Sequence, residues 1–164
     1  MSRTFFLKII KKQRLINLIS TLSLVIFNNF TYFILTKKIT LEIVSAGFAM
    51  GLVVDELLIV NNIRDVEEDK LHNKITTAVL FGKEFMMKVF LLNPLIACAL
   101  GFYFLRDVCD YKVWAIAIIP MIIYSINLYK KLRKFEGKQL NALLGKASFE
   151  AILFAVMVVA VALV

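Results

Sequence analysis

Between Leu57 and Glu84 the chain reads LLIVNNIRDVEEDKLHNKITTAVLFGKE. Asn61, Asn62, Arg64, Asp65, Glu67, Glu68, Asp69, Lys70 and Lys74 crowd into fourteen consecutive positions. Asn61, Asp65 and Asp69 recur at i, i+4 and i+8. If the preceding apolar stretch continues as a helix, the three share an arc of about 80°, at about 100° per residue. That face offers one amide oxygen and two carboxylates, all hard oxygen ligands. Two like charges one helical turn apart repel. A Mg²⁺ ion relieves the repulsion, and phosphate oxygens of a substrate complete its octahedron. Arg64 as a planar fork and Lys74 as a point charge can hold further phosphate oxygens. The array suits a Mg²⁺–diphosphate headgroup beside an apolar cavity. The bland alternative is a solvated loop with ordinary charges.

The elements that must position this array are apolar. Of 164 residues 60% are hydrophobic, 14 are phenylalanine, and only two prolines and six glycines interrupt the runs. That exceeds what one small soluble core hides and excludes a disordered chain. Crossing the hydrocarbon takes about 20 mostly apolar residues. Stretches of that kind fall at roughly 15–36, 39–60, 85–105, 112–129 and 147–164. None alternates with a period of two, which argues against a β-barrel. The sequence therefore predicts an all-α polytopic transmembrane bundle of five spans over residues 15–164. Residues 1–14 form a basic amphipathic leader that reads as an interfacial anchor, and residues 61–84 form the motif loop. Two cysteines and one histidine exclude a disulfide scaffold and argue against structural zinc.

The net charge of +8 resolves along the chain. The leader holds five basic residues, the segment from Arg64 to Lys88 five more, and the segment from Lys130 to Lys146 six. Lys37, Lys38, Arg106 and Lys112 fall in the alternate loops. The positive-inside bias then puts the amino terminus and the motif in the cytoplasm of a multi-pass cell-membrane protein, with the carboxyl terminus external. The charge is a membrane signal, and no nucleic-acid partner is expected.

Other polar residues read more simply. Asp55 and Glu56 lie inside the second span, where ionisable groups face a cavity or a partner. Asp55, seven residues before Asn62, either shares a cavity-facing side with the motif or pairs within the bundle. Asn62 is either a ligand or a hydrogen-bonder at the helix end. Glu42 and Glu150 read as interfacial and solvated, and His72 as solvated. Cys98 reads as a core residue, and Cys109 as a loop-edge thiol. The phenylalanines face lipid or core, or line a tunnel for an apolar chain.

The motif resembles the second aspartate-rich segment of the UbiA superfamily of intramembrane prenyltransferases. It is most similar to the branch acting on 1,4-dihydroxy-2-naphthoate in menaquinone biosynthesis, with the pattern NNxRDxxxDxxxGKxTLAVxLG. Asn61, Asn62, Arg64, Asp65, Asp69, Lys74, Thr76, Ala78, Val79 and Gly82 stand at matching positions. Asn73 departs from the usual glycine, Thr77 from leucine and Phe81 from leucine. The tail GKQLNALLGKASFEAILF is more weakly similar to the family's last loop and helix.

The resemblance implies Mg²⁺-dependent transfer of a polyprenyl group from its diphosphate to an aromatic acceptor. It assigns Asp65 and Asp69 to the metal, with Asn61 in support, and Arg64 and Lys74 to the diphosphate. It also implies that the five spans correspond to helices five to nine of a nine-helix fold. The family's first aspartate-rich motif, of NDxxD type, has no counterpart before Leu57. The expectation is half of an active site: a half-length enzyme completed by a second chain or, alternatively, an inactive membrane fragment or subunit.

Overall fold

The structure is a computed structural model that describes residue 26 and residues 29–163. The leader and most of the first expected span lie outside the described residues. The end of that span, residues 29–36, is helical and is labelled α1. The chain continues through α2 (Leu41–Arg64), α3 (Val66–Leu71), α4 (Thr77–Phe81), α5 (Lys83–Leu105) and α6 (Tyr111–Leu132). A 3₁₀ turn (Gly137–Leu140) then leads into α7 (Asn141–Ala162). No strand occurs among the described residues.

Helix α2 starts where Thr40 accepts a hydrogen bond from the Ile43 amide (3.4 Å), an N-cap that satisfies one orphan donor. Small buried residues, Ser45, Gly47, Ala49 and Gly51, then let neighbouring backbones approach closely. Packing runs from α2 to α5, α5 to α6, α6 to α7 and back from α7 to α2, so the four long helices close a ring. Among the described residues these four are long and apolar enough to cross a membrane, the last counted from Gly137 to Ala162. Their outward faces carry Leu92, Ile96, Ile116, Ile123, Ile152 and Val156, all exposed. Such a belt is stable against hydrocarbon and unfavourable against water.

Two contacts define the ends of the ring. Arg106 bonds Glu42 at 2.7 Å, which joins the end of α5 to the start of α2. Arg64 bonds Asn141 at 2.7 Å, which joins the end of α2 to the start of α7. The interior has two apolar layers. Ile59, Ile63, Phe90, Leu128, Leu132 and Leu143 build the one nearer the motif. Val53, Ala97, Trp114, Met121, Ala151 and Phe154 build the other. Between them in sequence, each long helix contributes one buried polar residue: Glu56, Asn93, Ser125 and Glu150.

Three expectations are corrected. The last membrane helix begins before residue 147, because the polar GKQLN segment is itself helical and seats Leu140 and Leu143 in the core. Residues 61–84 are not one loop: Asn61–Arg64 complete α2, and two short helices follow. Glu150 is not solvated but fully buried, because its helix face turns inward against α2 and α6.

Candidate functional site at the end of α2

Asp65 closes α2 and opens α3, with φ −94° and ψ 6°. The backbone bends there without losing helical register. The Asp65 amide donates to the Asn61 carbonyl (3.0 Å), and the Asp69 amide to the Asp65 carbonyl (2.7 Å). The i, i+4, i+8 relationship read from the sequence thus survives the break between helices.

After α3 the chain reverses at Asn73, whose φ of +53° is left-handed. Asparagine tolerates this region better than most non-glycine residues, which accounts for its standing where the family pattern has glycine. The reversal brings the Lys74 amide to the Asp69 carbonyl (2.7 Å) and the Lys74 Nζ to Asp69 Oδ1 (2.9 Å). Thr76 then caps α4 by accepting from the Val79 amide (3.4 Å). Asn62 donates its side-chain amide to the Thr77 hydroxyl (3.2 Å), tying α2 to α4. Thr77, the second departure from the pattern, therefore supplies a hydrogen-bonding partner that leucine lacks. Gly82, with φ +82°, ends α4 in a conformation that favours glycine.

Asp65, Glu68, Asp69, His72 and Lys74 line a recess of about 310 Å³. Of the residues singled out from sequence, the fold brings Asp65, Asp69 and Lys74 together here. Asn61 stands one turn earlier in α2. Arg64 turns its fork onto Asp65, with Nε to Oδ1 at 2.6 Å and Nη2 to Oδ2 at 2.7 Å, while Nη1 reaches Asn141. Asp55 lies ten residues before Asp65, about 15 Å along the helix axis, and accepts from Asn93 (3.4 Å) inside the bundle. Glu68 and His72 line the recess although sequence reasoning left them out. Their signal was the helical spacing from Asp65, three and seven positions on. His72 is nonetheless exposed, and its Nδ1 lies 2.9 Å from the Glu68 carbonyl oxygen.

Arg64, by its hydrogen bonds, holds the Asp65 carboxyl below the ordinary carboxylate range, and the charges of Arg64 and Lys74 act the same way. Asp69 differs. Lys74 meets one of its oxygens, while the other, Oδ2, is buried and has no hydrogen-bond partner among the described residues. Among those residues no three His, Cys, Asp or Glu side chains are grouped to hold a metal by themselves. The donor set fits Mg²⁺ in its usual protein form, in which one or two carboxylates share the ion with water and substrate phosphates. A second cleft, apolar and about 260 Å³, opens near the other end between α2, α5 and α7, lined in part by Ala49, Gly101 and Phe154.

A ring of four apolar helices with a recess of acidic and basic side chains at one end defines an integral membrane protein. The profile of the UbiA prenyltransferase family matches residues 9–149, and the chain belongs to that family. No curated protein and no solved structure matches it. Membership implies prenyl transfer, with a prenyl diphosphate and an aromatic compound as substrates and the bilayer as surroundings.

Proposed function

We propose that this chain supplies the second aspartate-rich half of a Mg²⁺-dependent polyprenyltransferase. Its acceptor is 1,4-dihydroxy-2-naphthoate, in menaquinone biosynthesis. The observation that carries the reading is the buried Oδ2 of Asp69, without a hydrogen-bond partner among the described residues, in a recess shared with Asp65 and Lys74. The branch rests on the residues from Asn61 to Gly82 that fit its pattern.

Asp69 and Asp65 would hold the ion, with Asn61 in support. When bound, Mg²⁺ neutralises charge on the departing diphosphate. Lys74 sits at the recess and offers an ammonium to the same oxygens once substrate competes with Asp69 for it. Arg64 holds Asp65 ionised and in place, and its guanidinium is the nearby fork for a phosphate. As the allylic C–O bond breaks, its electron pair leaves with the diphosphate. The acceptor ring then forms the new C–C bond, and its carboxyl group departs as CO₂.

The first aspartate-rich segment would come from a second chain. The alternative is an inactive UbiA-like subunit, favoured by one observation: Arg64 pairs with Asp65 and Lys74 with Asp69. The basic residues gather at the recess end, which supports a cytoplasmic site in the cell membrane. Membranes carrying this chain are to be assayed for Mg²⁺-dependent prenylation of dihydroxynaphthoate, with and without a co-expressed segment of four spans bearing NDxxD. Turnover only with the segment supports the half-site reading. Robust turnover by the chain alone overturns it, and no turnover in either arm favours the inactive subunit.

A further inference from the structure

The polar layer at mid-bundle has no part in the recess. Glu56 and Glu150 are each 0% exposed. Helix α2 packs on α7, and the two carboxyls meet in the polar layer between the two apolar clusters. Both oxygens of Glu56 and Oε2 of Glu150 are buried and have no hydrogen-bond partner among the described residues. As carboxylates neither can donate, so the contact between them would be repulsion in a medium of low dielectric. Like charges placed so closely do not both ionise.

Among the described residues no cation pairs with either carboxyl. On α2 the neighbouring charge is Asp55, another acid. From α5 the facing titratable group is Cys98, and from α6 Tyr124, both acted on by Glu150. The ion pairs among the described residues involve other carboxylates. Ser125 on α6 contacts both Glu150 Oε1 and the Met121 carbonyl, the latter at 2.9 Å. It has one hydroxyl proton for two acceptors. Where that proton goes to the carbonyl, the Ser125–Glu150 contact needs a proton on the carboxyl.

The geometry points to a proton-binding site within the bundle: Glu56 and Glu150 share a proton as a carboxylic acid–carboxylate dyad, and that proton clamps α2 to α7. One hydrogen bond between the carboxyls satisfies an oxygen on each and removes one buried charge. Loss of the proton leaves two like charges facing each other across the α2–α7 contact. Arg64 at the end of α2 bonds both Asp65 of the recess and Asn141 at the start of α7, so the helices that the dyad clamps meet again beside the recess. The inference is independent of the substrate and of whether the chain is active.

Above the ordinary glutamate range the folded chain then keeps a proton that the unfolded chain has already released, so stability falls as pH rises. The test is the melting temperature of the full chain in detergent micelles between about pH 5 and about pH 9, for the native protein, Glu56→Gln and Glu150→Gln. The native melting temperature is expected to fall with rising pH, and each variant to flatten that fall. Equal slopes in all three overturn the dyad. A rise in native melting temperature with added Na⁺ or Mg²⁺ at constant ionic strength, absent from Glu56→Gln, reassigns the pair to a metal cation and overturns it too. If the variants fail to fold, infrared spectra of the native protein decide. A carboxylic-acid C=O band resistant to deuterium exchange supports the dyad, and its absence at neutral pH refutes it.

Discussion

Lys74 folds back over α3 to place its Nζ 2.9 Å from Oδ1 of Asp69, while Oδ2 of the same carboxylate stays buried with no hydrogen-bond partner among the described residues. One oxygen is thus held by a cation, and in the proposed site the other would take the metal ion. Asp69→Asn keeps the shape and removes the charge. In the two-half assembly we expect prenyl transfer to fall by more than the roughly 100-fold that loss of a supporting outer group causes. Asp65→Asn is expected to fall similarly. Unchanged rates, measured by product formation at saturating Mg²⁺, would remove the residue concerned from the metal site.

The Arg64–Asp65 pair makes a prediction about pH. Hydrogen bonds from Arg64 hold the Asp65 carboxyl below its ordinary value. Its contribution to stability is present above the unfolded carboxylate range and is lost as pH falls through the depressed folded value. Arg64→Gln removes most of the depression. The variant is expected to lose less melting temperature than the native chain on acidification through the ordinary carboxylate range. Parallel acid limbs for the two proteins would show that the pair does not couple to folding.

Gly101 fits the α5–α6 contact for a steric reason. A Cβ there would stand 2.9 Å from Cη2 and 3.0 Å from Cζ2 of the buried Trp114 indole. A rigid ring in a packed core has little room to yield. Gly101→Ala is therefore expected to destabilise the bundle by about 1–3 kcal/mol, the usual result of overpacking. Denaturation in detergent checks this. A native midpoint in the variant would mean the indole can shift without loss.

Topology can be checked without activity. Four membrane helices from α2 to α7, with the recess end cytoplasmic, return the chain through α7 to the outer side. An epitope fused after Val164 is expected to be reached by antibody on intact cells. A cysteine at Lys70, in α3, is expected to react only with membrane-permeant reagents. The opposite labelling would invert the orientation inferred from the basic residues.

Much of the molecule was legible in one dimension because hydrocarbon imposes length and polarity on every span. The positions of α2, α5 and α6 follow from apolar runs alone. The spacing of Asn61, Asp65 and Asp69 was readable because i→i−4 bonding continues through Asp65. What a linear pattern does not carry is which partner each charged group meets. Arg64 and Asn141, 77 positions apart, become neighbours only when α7 packs on α2. Glu150 near a helix end looked solvated, yet the closing of the ring turned it inward against Glu56. Periodicity assigns a residue to a face of its own helix, but only packing decides what that face meets.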